Sequence, residues 1–86
     1  MIMKEITVAK KDGLLNKDCS MLVQRAMRFS SDIFLEYGTR KINCKSIMGL
    51  ISLGLKAGAK FILITKGDDE EAAIADMLNL FDTNFA

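Results

Sequence analysis

Few side chains in this chain can do chemistry, and one type is missing. The 86 residues include no histidine. Imidazole acid–base catalysis, Ser-His-Asp and Cys-His arrangements and a phosphohistidine are therefore excluded. Metal ligation would fall to Cys19, Cys44 and carboxylates, which do not cluster in sequence, so no metal and no cofactor are expected. Cys19 lies near the start of a candidate helix, where the dipole lowers a thiol pKa. It also falls on that helix's apolar face, and the core reading outweighs the reactive one. Cys44 ends a strand and receives no role. Ser46 stands in Asn43-Cys44-Lys45-Ser46-Ile47-Met48-Gly49-Leu50, where its hydroxyl can cap a short helix. No acid–base or nucleophile–base pair is visible, so the chain is not expected to be an enzyme.

The charge balance narrows the partners. Twelve Lys+Arg against eleven Asp+Glu give a net charge of +1, without the concentrated basic face that nucleic acid needs. The longest apolar runs fall far short of the roughly 20 residues of a membrane span. Lys4, Glu5 and Lys10 interrupt anything resembling a signal peptide. Neither nucleic acid nor membrane is expected as a direct partner. Two cysteines without a spacing pattern fit a reducing, cytoplasmic setting. The length suits one domain over residues 1–86.

The elements that must position these residues follow from periodicity. Ile2, Lys4, Ile6 and Val8 alternate with Met3, Glu5 and Thr7, as in a half-buried strand. After the loop Lys10-Lys11-Asp12-Gly13, the residues Cys19, Leu22, Val23, Ala26 and Phe29 mark one face of a helix from about Asp18 to Phe29, capped by Asn16 or Asp18. Lys10, Lys11 and Lys17 read as a solvated rim. Residues 33–37 and 40–43 form a hairpin turning at Gly38-Thr39. Ser46 opens a brief helix that ends near Gly54. Residues 61–65 make an interior strand, and a final helix starts at Asp68, with Glu71 completing a capping-box pattern and Ile74, Met77, Leu78 and Phe81 as its buried stripe. Four strands and three helices in this order predict an α+β fold of two layers, with the helices on one sheet face.

The segment Asn43 to Leu50, together with Ser31-Asp32-Ile33-Phe34-Leu35-Glu36-Tyr37 and Ser52-Leu53-Gly54, resembles HPr, the histidine-containing phosphocarrier of the bacterial sugar phosphotransferase system. The resemblance covers essentially the whole chain. It implies the open-faced β-sandwich of that family, a four-stranded antiparallel sheet covered on one face by three helices.

The carrier loop departs from the family pattern G-[LI]-H-A-R-P-A, which reads here Gly13-Leu14-Leu15-Asn16-Lys17-Asp18-Cys19. Leu15 stands at the phosphohistidine position, Lys17 at that of the neighbouring arginine and Asp18 at that of the helix-starting proline. A hydrocarbon cannot accept phosphate, and lysine lacks the guanidinium fork. The chain is similar to the catabolite-repression HPr-like members, which also lack the histidine, although those carry glutamine at the position of Leu15 and keep the arginine.

The resemblance implies phosphorylation of Ser46 by an HPr kinase/phosphorylase. It also implies partner contacts through Leu15, Lys17, Ile47, Met48 and Ile51, with a LacI-type catabolite regulator or other phosphotransferase-system proteins as partners. A binding-only protein of that system and a degenerate copy are the alternatives. The regulatory reading needs the Ser46 phosphate, whereas binding alone survives Ser46→Ala.

Overall fold

The computed structural model describes all residues from Met1 to Ala86. The elements are β1 (Ile2–Thr7), α1 (Asn16–Ala26), β2 (Asp32–Tyr37), β3 (Arg40–Asn43), α2 (Ile47–Leu53), β4 (Lys60–Lys66) and α3 (Glu70–Thr83). The strands form one antiparallel sheet in the order β1-β4-β2-β3. The predicted order of elements and the open-faced architecture are both observed.

Strand alternation explains how one face carries all the helices. Ile33, Leu35, Phe61 and Leu63 point to one side and are buried with Cys19, Leu22 and Ala26 of α1, Leu50 of α2, and Ala73, Ile74, Met77, Leu80 and Phe81 of α3. Phe81 sits between Phe61 and Phe85, with ring centroids 5.2 and 5.1 Å away, near the spacing that favours tilted and edge-on aromatic pairs. In the stripe of α3, Leu78 is only partly buried, and Leu80 and Phe85 are core residues that the periodicity did not pick out.

The starts of α1 and α3 differ from expectation. α1 begins at Asn16, and the cap position is Leu15, whose side chain has no acceptor. Asp18 supplies the acceptor from inside the first turn, its Oδ2 taking the Leu15 N–H at 2.9 Å. The helix also stops at Ala26, because Arg28 and Phe29 donate to the carbonyls three residues back and tighten the chain into a turn. α3 is capped at Asp69 rather than Asp68, and the Asp68–Glu71 box does not form. The Asp69 carboxylate turns away from its own helix and accepts from the N–H groups of Ser30 and Ser31 at 3.0 and 2.9 Å and from the Ser31 hydroxyl. The connection leaving α1 is thereby tied to the start of α3. Lys45 ties the same connection from the other side, donating to the carbonyls of Phe29 (2.8 Å) and Ser31 (3.0 Å). Arg25 and Asp76 pair between α1 and α3.

The bonds from Ser31 and Ser30 hold the Asp69 carboxyl down at about 2, below the usual value of about 4. A depressed carboxylate stabilises the fold fully above its unfolded pKa, and that contribution is lost as the pH falls through the folded value. Asp69→Asn should therefore flatten the acid limb of stability between about pH 4 and 2. Urea midpoints measured across that range check this, and an unchanged acid limb would contradict it.

Candidate functional site

The loop before α1 is fixed by close backbone packing. Gly13 has φ +72°, and a Cβ there would lie 2.6 Å from the Leu55 carbonyl oxygen and 2.8 Å from Lys56 Cα. The Leu14 N–H donates to that same carbonyl at 2.9 Å. The start of α1 is thus anchored to the chain just beyond α2. Leu15 (41 % exposed) and Lys17 stand on the surface there.

Asp18 organises this end of the helix. It is buried, accepts the Leu15 N–H, and pairs with Lys10 Nζ at 3.0 Å. Lys10 is consequently half-buried and does not belong to the solvated rim expected for it. Nothing local in the sequence signals this pair, since it joins a loop lysine to the first turn of the next helix. The carboxylate already sits where the helix dipole favours negative charge. Burial raises the Cys19 thiol, and the Asp18 charge adds to the effect; burial pushes Cys44 up to about 12. Neither thiol has the lowered pKa of a reactive cysteine.

At the other end of α2, Ser46 is exposed in extended conformation, and its Oγ accepts the Gly49 N–H at 3.4 Å. The capping role read from the sequence is observed. Gly49 is required here by proximity: a Cβ would come within 2.8 Å of Ile42 Cγ2 and 3.2 Å of Ser46 Oγ. Met48, 72 % exposed, stands free, whereas Ile47 and Ile51 are partly buried and pack against the core. Arg40, which sequence reasoning passed over, braces the far end of α2: its guanidinium donates to Ser52 Oγ (2.8 Å), which in turn donates to the Gly49 carbonyl (2.7 Å).

The structure therefore brings Ser46, Ile47, Met48 and Ile51 together on α2. Leu15 and Lys17 follow Leu14, whose N–H is anchored on the Leu55 carbonyl just beyond the opposite end of that helix. A shallow depression of the surface lies elsewhere, around Gly67 to Ala72. Two of its carboxylates are already engaged: Asp69 by Ser30 and Ser31, and Glu70 by the Gly67 N–H and the terminal ammonium.

Asp18→Ala would strand Lys10 beside the core and free the Leu15 N–H. It should cost about 2–3 kcal/mol in urea unfolding, and a loss below about 0.5 kcal/mol, ordinary for a surface change, would contradict the pairing. Gly49→Ala, which in an open helix gains up to about 1 kcal/mol, should instead destabilise by about 1 kcal/mol through crowding. The same unfolding curves decide its sign.

The geometry agrees with comparisons to known proteins. The family model described as "PTS HPr component phosphorylation site" matches residues 2–83. The chain is 42% identical over 78 residues to the HPr-like protein Crh of Halalkalibacterium halodurans, covering 91% of this chain and 93% of that one. It is 43% identical over 74 residues to the HPr-like protein Crh of Bacillus subtilis, covering 86% and 87%. Among solved structures, HPr-C-His from Thermoanaerobacter tengcongensis superposes with a TM-score of 0.92 at 40% identity, over 99% of this chain and 96% of that one. With the family model spanning nearly the whole chain and the fold matched in full, this protein belongs to the HPr family.

Proposed function

We propose that this chain is a regulatory, non-carrier HPr-family protein of sugar phosphotransferase and carbon catabolite control. It is phosphorylated on Ser46 by an HPr kinase/phosphorylase and then binds a LacI-type catabolite regulator. The observation that carries the reading is the exposed Ser46 hydroxyl beside the exposed Met48 on α2, in a chain whose carrier position is the hydrocarbon Leu15. The similarity to HPr-like proteins named Crh supports it.

The chemistry required is a single transfer. Ser46 Oγ attacks the γ-phosphorus of ATP, an Oγ–P bond forms as the bond to the ADP oxygen breaks, and the hydroxyl proton passes to a base of the kinase. About −1.5 to −2 charges are added at the start of α2. The Ser46 side chain is already outside the core, so the modification changes the surface while leaving the packing in place. Met48 offers a polarisable, adaptable contact beside the new charge. Ile47 and Ile51 extend it along α2, and Leu15 and Lys17 form the other margin. Lys45 is held on the carbonyls of Phe29 and Ser31, whereas Lys17 is exposed and open to a partner. The protein contributes no catalytic group of its own, and a reaction that draws on ATP places it in the cytoplasm.

Incubation with ATP and a Gram-positive HPr kinase/phosphorylase should add the mass of one phosphate, located on Ser46 and absent from Ser46→Ala. Phosphoenolpyruvate with the first enzyme of the phosphotransferase system should add none. Failure of the kinase reaction would overturn this reading in favour of a binding-only protein or a degenerate copy.

A further inference from the structure

Ser46 stands at the end of a turn whose backbone donors are all committed. The Cys44 N–H donates to the Ile33 carbonyl (2.8 Å), the Lys45 N–H to Asn43 Oδ1 (2.9 Å) and the Ser46 N–H to the Asn43 carbonyl (2.9 Å). The Cys44 side chain is fully buried and fastens the turn to the core. The Lys45 side chain reaches back to the connection between α1 and β2, where its ammonium donates to the carbonyls of Phe29 (2.8 Å) and Ser31 (3.0 Å). That connection is fixed in turn by the Asp69 carboxylate, which accepts from Ser30 and Ser31. The hydroxyl at the end of this brace is lightly held. Ser46 Oγ is exposed and accepts the Gly49 N–H at 3.4 Å, beyond the roughly 2.7–3.2 Å of a well-formed N–H···O bond. The backbone is pinned, while the atom that would react is free to turn.

We propose that Lys45 is a positioning residue for phosphoryl transfer to Ser46, its clamp on the Phe29 and Ser31 carbonyls holding the turn so that Oγ enters the reaction already placed. This rests on the kinase reading of Ser46. As the Oγ–P bond forms and the bond to the ADP oxygen breaks, the hydroxyl proton leaves for a base of the kinase. Both events gain rate when Oγ starts near its attacking position, and a misplacement of about 1 Å can cost about 100-fold. A turn that is not held would sample other backbone conformations, and their entropy would have to be lost during the transfer. Lys45 removes that entropy beforehand by tying the residue next to Ser46 to a connection already fixed on α3.

A direct charge contact with the kinase is the competing role for Lys45, and the geometry opposes it. An ammonium has three donors, and two of these are spent on carbonyls of the chain itself. The side chain is half-buried, unlike the exposed Ser46 and Met48 on either side of Ile47. Lys45 therefore acts through the backbone of its neighbour, and Asn43 shares the task by holding the Lys45 and Ser46 N–H groups from the other side.

Steady-state kinetics of the full chain with ATP and a Gram-positive HPr kinase/phosphorylase separates the two roles. Lys45→Met keeps an apolar stem and removes the ammonium. Its kcat should fall about tenfold, while KM for the protein stays within about twofold of the parent's. Lys45→Arg, whose guanidinium can donate to both carbonyls, should recover most of the loss. Asn43→Ala removes the acceptor of the Lys45 N–H without altering charge and should lower kcat in the same way. Asn43 is exposed, so this variant serves even where Lys45→Met folds poorly. A parent that takes no phosphate would overturn the kinase reading and this inference with it. With a phosphorylated parent, an undiminished kcat in Lys45→Met and Asn43→Ala, a loss confined to KM, or a loss that Lys45→Arg does not recover would each overturn this inference alone.

Discussion

The Asp18 carboxylate is the group on which the arrangement of the helix layer depends most. Buried at the first turn of α1, it caps the helix from within and draws Lys10 in from the preceding loop. A buried carboxylate without a partner would be strongly unfavourable, so the ion pair and the N–H bond must form together. Their formation fixes the path from β1 into α1, and the contact of Gly13 and Leu14 with Leu55 then fixes α1 against the end of α2. The surface carrying Leu15 and Lys17 inherits its position from that chain of contacts.

The opposite end of α2 is held by a different kind of constraint. Ser46 caps the helix, Gly49 permits Ile42 to pack beneath it, and Arg40 with Ser52 closes the far turn. Seven residues are too few for a helix to persist on its own, so α2 exists because both ends and its underside are braced. This explains how an exposed hydroxyl and an exposed methionine stand in fixed relation on so short an element. It also suits the proposed role, in which added charge at Ser46 is read by a partner and the fold stays as it is.

Much of this was legible in the residues. Alternation gave β1, the Gly38-Thr39 turn gave the β2–β3 hairpin, a near-continuous apolar run gave β4, the i, i+3, i+4 spacing gave α1 and α3, and Ser46 ahead of an apolar run gave α2 with its cap. What escaped was mostly non-local. Asp69, not Asp68, stands at the N-cap position of α3, and its carboxylate is claimed by Ser30 and Ser31, far away in sequence, instead of by its own helix. Lys10 looked like a loop lysine because its partner lies on the next element. Leu80 shares the i, i+4, i+7 stripe of Ala73 and Met77, where Leu78 was read in its place, and Phe85 lies beyond the end of α3 and joins the core by packing on Phe81. The carrier loop was the clearest sequence signal, since a missing histidine needs no structure to interpret. The interface reading of α2 divides in the structure: Met48 is free, whereas Ile47 and Ile51 serve the core as well.

The central claim is that this protein carries a signal in the phosphorylation state of Ser46. The most direct measurement is the affinity of a LacI-type catabolite regulator for three forms of the chain: unmodified, phosphorylated on Ser46, and Ser46→Ala taken through the same kinase reaction. The account predicts tight binding of the phosphorylated form alone. Equal binding of all three forms, or binding of none, would contradict it.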